Sequence, residues 1–179
     1  MTGLTGLIAV ALALLSATAA AAETGRDEPV RHLVSAAARV GPEFTLPVLD
    51  GSPMRLTAAA SPVVLVHFFA TWCEPCREEL SSLVRLVADT PPHELTVLAV
   101  NVAEVPARVR RFIEATPVNF PILLDADRAV TRAWNVSTLP TTFVLGRDRT
   151  PRLFVEGDLD WTHRDVVDAI GSIRTQQQK

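Results

Sequence analysis

The spacing of apolar positions changes several times along the chain, and each change marks an element. Residues 62–70, "PVVLVHFFA", form an apolar run rich in β-branched and aromatic side chains, interrupted only by His67. That pattern predicts a central strand covered on both faces. The following "CEPCREELSSLVRLVADTPP" repeats at helical spacing instead: Leu80, Leu83, Val84 and Val87 share one face, and Pro91 and Pro92 end the run. A second buried strand is predicted at 95–102, then a helix over "VPARVRRFIEAT" with Val105, Val109, Phe112 and Ile113 on one face. "FPILLD" reads as a short strand and residues 127–134 as a short helix. "TTFVLGRDRTPRLFVEG" reads as two antiparallel strands, and "WTHRDVVDAIGSI" as a closing helix whose apolar face is Val166, Val167, Ile170 and Ile173. Thr162 and Asp165 give that helix a capping-box-like start. Upstream, Pro42, Pro47, Gly51 and Pro53 punctuate β-prone runs at 44–46 and 54–56, a hairpin or loop with two short strands. The order of elements predicts an α/β fold: a mixed central sheet, parallel strands first and antiparallel ones last, with helices on both faces.

The ends of the chain differ. Residues 1–22 carry no Asp, Glu, Lys, Arg or His. The apolar stretch 7–17 fits a signal-peptide core, and "ATAAAAE" offers small-residue cleavage sites ahead of Glu23. No Lys or Arg lies near Met1, so a retained anchor competes with cleavage after Ala22, although the stretch is short against the ~20 residues a span needs. The expected organisation is a signal peptide or anchor at 1–22, a flexible leader or short helix at 23–40, one domain at 41–174 and a polar tail at 175–179. At 179 residues, 48 % apolar and 21 % charged, the composition is that of one ordinary globular domain. With a net charge of −3 and no basic run, it carries no footprint of nucleic-acid binding. The expected location is extracytoplasmic, periplasmic where there is a periplasm, with membrane attachment only if the leader is retained.

Export changes what the chain's only two cysteines imply, because a disulfide persists in an oxidising compartment. Cys73 and Cys76 fall at the seam between the first buried strand and the first helix. Residues three apart on a helix are neighbours, so their sulfurs can bond. As a staple that bond would close a tiny loop and add little stability. A zinc site needs four ligands, and the only histidines, His32, His67, His93 and His163, show no ligand spacing. A redox pair is the favoured reading. Helix N-termini present unpaired N–H groups and about half a positive charge. In C-x-x-C pairs at such sites the thiol pKa falls from ~8.5 to between ~3.5 and 7.5.

"FFATWCEPCREEL", the preceding "VVLVHF" and the later "TLPTTFVL" resemble the thioredoxin superfamily, and more narrowly its exported TlpA/ResA-type thiol:disulfide oxidoreductases. "GPEFTLPVLDGSPMRLT" is similar to that group's opening segment and "FPILLDADRAVTRAWNV" to its inserted strand–helix region, so the likeness spans roughly residues 40–174. Phe69 departs from it, standing where Trp is usual. The resemblance implies a thioredoxin-like fold with Cys73 as attacking nucleophile and Cys76 as resolving thiol. Pro140 would follow a cis bond from Leu139 beside the disulfide; otherwise it is a trans proline starting a strand. Trp72 would be a rim residue touching the partner protein, or else a core aromatic. Glu74 puts a carboxylate beside the thiol or simply charges the helix start, and Pro75 sits in the first turn, where a missing N–H costs nothing. His67 occupies the place of a buried acid that moves the resolving thiol's proton, or is a hydrogen-bonded core histidine. Glu79 either lies near the cysteines or is a solvated helix charge.

By the same resemblance the activity is reduction of protein disulfides, with cytochrome c maturation or copper-site assembly as typical client pathways. No cofactor is implied, since the dithiol carries the electrons, and a membrane-embedded thiol reductase would recharge it. Negative charge from Glu74 and Glu79 would disfavour the thiolate, so a potential nearer ~−270 mV than ~−120 mV is expected. Two alternatives use the same residues. One is a copper-binding chaperone, with His163 as the candidate third ligand. The other is a peroxiredoxin-type thiol peroxidase, which shares the fold and an "FTLP…DG" opening.

Overall fold

The computed structural model describes residues 33–176. The signal peptide or anchor expected at 1–22, most of the expected leader and the last three residues of the tail lie outside the described residues. The elements run β1 (Val34–Ser35), β2 (Thr45–Leu46), β3 (Met54–Arg55), β4 (Val63–Phe69), α1 (Glu74–Asp89), β5 (Leu95–Val102), α2 (Pro106–Ala115), β6 (Ile122–Asp125), α3 (Ala129–Ala133), β7 (Thr141–Leu145), β8 (Pro151–Glu156) and α4 (Arg164–Gln176).

Six strands form one sheet in the order β1-β8-β7-β4-β5-β6, and β2 and β3 form a separate hairpin. β4, β5 and β6 are parallel neighbours, whereas β7 and β8 run antiparallel, as the element order predicts. β4 is central and buried at all seven positions. Its alternation splits the core in two. Val63, Leu65 and Phe69 face a cluster built with α1, α2 and α4. Val64, Val66 and Phe68 face a second cluster with the hairpin, α3, Trp134 and Phe143. Trp134 anchors this second face: its indole N–H donates to Pro42 O at 3.1 Å, and a Cβ at Gly41 would lie 2.7 Å from its ring, so only glycine fits there.

Several expectations change. Val34 and Ser35 belong to no flexible leader or short helix; they pair antiparallel with Phe154 and Leu153 of β8. Arg39 reinforces this edge, reaching Glu156 at 3.0 Å and stacking 4.2 Å from the Phe154 ring centroid. A two-residue strand leaves no periodicity to read. On α1 the buried stripe is rotated: Glu79, Ser82 and Leu86 are buried while Val84 and Val87 are only partly so. The reason is a loop at 158–161 that packs on the helix, with Trp161 N–H donating to Ser82 Oγ at 3.2 Å. Val105 is the N-cap of α2 and so leaves the helical face, 64 % exposed. Val167 also lies off the buried face of α4. Thr162 makes no capping box; its hydroxyl and backbone N–H both donate to Asp160 Oδ1, at 2.6 and 2.9 Å.

Candidate active site

The site grows from the end of β4. The strand's last apolar residue, Phe69, leads into a turn closed by Cys73 N–H donating to Ala70 O at 3.2 Å. Cys73 is the N-cap of α1, and Pro75 occupies the first turn. Cys73 Sγ accepts the N–H of Cys76 at 3.3 Å, so a helix-start donor points at this sulfur. The two cysteines are joined as a disulfide with their Cα atoms 5.3 Å apart. Cys76 is wholly buried and Cys73 keeps 5 % exposure, so an incoming group reaches Cys73 first. Phe69, fully buried, belongs to the same core as both cysteines.

Trp72 stands at the surface, 66 % exposed, which places it on the rim rather than in the core. It borders a groove of about 270 Å³ with Ala103, Arg128, Val136, Thr138 and Leu139. The Leu139–Pro140 bond at the groove's end is cis. Leu139 also packs against the core that holds the cysteines. Glu74 and Pro75 are exposed at the helix start, and Glu74 pairs with Arg77 at 3.4 Å.

Glu79 is no solvated charge. It is 3 % exposed on the buried side of α1, one helical turn beyond Cys76. Its Oε1 accepts the indole N–H of Trp161, and its Oε2 is buried without a partner. Burial pushes the carboxyl up to about 8; the Trp161 hydrogen bond pulls down and the charge of Asp158 pushes up. At neutral pH Glu79 is therefore mostly protonated, with a minority ionised. The expectation that it sets a standing negative charge beside the thiols is corrected, and the carboxylate of Glu74 stands in solvent, 73 % exposed.

His67 lies on the same face of β4 as Leu65 and Phe69, stacked on the Phe69 ring at 5.9 Å between centroids. Its Nδ1 shares a 2.8 Å hydrogen bond with Thr142 Oγ1, and Nε2 has no partner. Burial pushes its pKa down to about 3. A ring so reluctant to take a proton is a poor acceptor at neutral pH, so the geometry favours a core histidine over a proton carrier. His163, the candidate copper ligand, sits half-exposed beside Asp165 at 3.9 Å.

Three contributors escaped the sequence reading. Trp161 and Thr142 hold Glu79 and His67. Glu104, buried, accepts from the N–H and hydroxyl of Thr71, both at 2.6 Å, and from the amide of Asn101 at 2.7 Å. It thereby clamps the turn that carries Trp72 and Cys73. A lone acid directly after a buried strand, as in "NVAE", was the available signal.

A disulfide at a helix start beside a cis-proline loop, on a sheet of parallel then antiparallel strands, defines the thioredoxin-fold class. Within it, residues 38–152 match the AhpC/TSA family, and the chain belongs to that family. Among curated relatives, thiol-disulfide oxidoreductase ResA of Geobacillus thermodenitrificans is 32 % identical over 133 residues, 74 % of this chain and 75 % of that protein. ResA of Bacillus subtilis is 36 % identical over 104 residues, 58 % of each chain. Among solved structures, a secreted thiol-disulfide isomerase from Corynebacterium glutamicum superposes with a TM-score of 0.67 at 22 % identity, covering 84 % of this chain and 95 % of its own. StoA from Bacillus subtilis gives 0.62 at 21 % identity, covering 75 % and 98 %. At these identities the structural likeness speaks for the fold.

Proposed function

We propose that this thiol:disulfide oxidoreductase works outside the cytoplasm as a reductant of protein disulfides. The observation that carries the reading is the disulfide at the start of α1, with Cys73 keeping 5 % exposure, Cys76 none, and one turn further on a buried Glu79 whose carboxyl burial pushes up to about 8. In the reduced protein the Cys73 thiolate attacks a client disulfide. The bond between Cys73 and one client sulfur forms, and the other client sulfur leaves with the electron pair and takes a proton from water. In the ionised fraction of Glu79, Cys76 then gives its proton to the carboxylate and attacks Cys73 Sγ. The Cys73–Cys76 bond forms, the mixed disulfide breaks, and the second client sulfur leaves. Two electrons pass from the dithiol to the client, and no further cofactor is required.

The groove between Trp72 and Leu139 is the natural seat for an extended client segment. The reducing direction is supported by the C-x-x-C pair enclosing Glu74 and Pro75 and no cationic side chain, since strong oxidants of this fold depend on a heavily stabilised reduced form. The uncharged apolar segment at 1–22 supports export, with clients in cytochrome c maturation or copper-site assembly and recharging by a membrane-embedded thiol reductase. Two measurements test the reading. The reduced protein should precipitate insulin by cleaving its disulfides, and equilibration with dithiothreitol buffers should give a potential below about −180 mV, the level of an isomerase. A higher value would reverse the direction. The family match favours one second reading, a thiol peroxidase. Rapid oxidation of the dithiol by micromolar hydrogen peroxide would support it.

A further inference from the structure

The loop ahead of α4 is latched to α1 at two points. Trp161 donates its backbone N–H to Ser82 Oγ at 3.2 Å and its indole N–H to Glu79 Oε1. Ser82 Oγ in turn reaches Glu79 O at 2.8 Å and Leu159 O at 3.4 Å. Trp161 is wholly buried and packs in the same core as Cys76, Leu80 and Leu83. Its indole thus engages one oxygen of a carboxyl that lies one turn from the resolving cysteine. Nothing in thiol exchange requires a tryptophan here, yet the indole reaches the one buried acid of α1.

We propose that Trp161 is a positioning residue for the exchange reaction, its indole N–H holding Glu79 by Oε1 and leaving Oε2 as the oxygen that takes the Cys76 proton. This rests on the reductase reading above. The physical reason lies in what an indole can do. Its N–H is a donor only, so it can neither take the carboxyl's proton nor accept from it. A neutral Glu79 must then carry its proton on Oε2, the oxygen without a partner. When Glu79 is ionised, the same N–H steadies the anion in a site where an unpaired charge is costly. Other charges act around it. Asp158 opposes ionisation. Glu78, Arg85 and Asp160 border a cleft of about 200 Å³ on the solvent side of Glu79. His67, in the same layer of the core, is neutral.

The resolving step starts from the Glu79 carboxylate. The Cys76 S–H bond breaks and its proton passes to Oε2. The sulfur's electron pair forms the bond to Cys73 Sγ, and the client sulfur departs with the pair of the broken mixed disulfide. Removing the indole donor should make the Glu79 carboxylate harder to form and so move the pH profile of this step.

The test uses the full mature protein in its reduced form. In the wild type, the Trp161 indole 15N–1H resonance should titrate between pH 6 and 10, and it should stay flat in Glu79→Gln. Trp161→Phe keeps an aromatic ring in the core but removes the donor. Its insulin-reduction profile should shift to higher pH by about one unit. In a Cys76→Ser background, adding Trp161→Phe should leave the alkylation rate of Cys73 unchanged, since that step does not use Glu79. A wild-type indole signal that is flat across the range while insulin is reduced overturns the role of Trp161 alone, whether or not Trp161→Phe folds. An unshifted profile in folded Trp161→Phe does the same. A wild type that leaves insulin disulfides intact overturns the reductase reading and, with it, this role.

Discussion

Glu79→Gln offers a test of the site that does not depend on any client. Burial holds the Glu79 carboxyl at about 8, against an ordinary value of 4.5. Between those two pH values the unfolded chain has released the proton and the folded protein still holds it. Stability therefore falls as pH rises, by about 1.4 kcal/mol per pH unit. The favourable contribution is complete below pH 4.5 and gone above pH 8, a loss on the order of 5 kcal/mol across the window. His67 works in the opposite sense. Its folded value of about 3 lies below the ordinary 6.5, so its contribution is complete above pH 6.5 and lost as pH falls to 3. The two slopes cancel between pH 4.5 and 6.5, and Glu79 acts alone from 6.5 to 8. In Glu79→Gln the amide accepts from Trp161 through Oε1 and buries an NH2 in place of Oε2, a cost independent of pH. Guanidinium unfolding of the oxidised wild type and variant from pH 4.5 to 9 should show the difference moving in the variant's favour by on the order of 5 kcal/mol. Parallel stability curves would refute the buried acid with its raised pKa.

Three further outcomes follow from the same geometry. His67→Leu should remove the His67 share of the stability lost between pH 6.5 and 3, on the order of 5 kcal/mol, at the constant cost of one unpaired Thr142 hydroxyl; acid unfolding followed by circular dichroism checks this. Glu104→Ala leaves the half-buried Thr71 N–H and hydroxyl and the buried Asn101 amide without their acceptor, and at about 1–3 kcal/mol for an unmet buried group should destabilise by at least about 1 kcal/mol in denaturant titration. Cys76→Ser should accumulate a mixed disulfide through Cys73, whereas Cys73→Ser should trap almost none, because Cys76 has no exposure; mass spectrometry of non-reduced adducts distinguishes them, and equal trapping would undo the assignment of nucleophile and resolver.

How much of this was legible beforehand depended on the range of each interaction. β4 and β5 were readable because strands buried on both faces are apolar at nearly every position, and the seam that follows β4 located the cysteines at a helix start. The cis bond before Pro140 came from the family likeness, since only ~5–6 % of X–Pro bonds in folded proteins are cis. What stayed hidden was tertiary. Glu79 sits beside Leu80 on the helix, and whether it faces core or solvent turned on a loop 82 residues later, where Trp161 meets it. The separation of 75 residues between His67 and Thr142 hid that pair in the same way. β1 is too short to carry a pattern, and its strand character exists only because β8 offers an edge.

The proposed division of labour between the two sulfurs rests on depth. Cys73 lies nearer the surface with a backbone N–H already directed at its sulfur, so its thiolate has a partner from the fold itself. Cys76 lies among Leu80, Leu83, Phe69 and Trp161, where an isolated anion would be costly. It can act only if its proton has somewhere to go as the new sulfur–sulfur bond forms. The chain places a carboxyl one turn away, with one oxygen unengaged. A carboxylate at its ordinary 4.5 would be ionised in nearly every molecule, yet too weak a base to draw a proton from a thiol. Burial to about 8 reverses the balance: fewer molecules hold the anion at neutral pH, but each one is a far better acceptor. In the proposed exchange, as the Cys76 proton reaches Oε2, the negative charge moves through the new bond to the departing client sulfur and out to solvent. Both buried groups are then neutral. On the proposed mechanism, the same burial that makes Glu79 expensive to ionise is what makes it a usable acceptor.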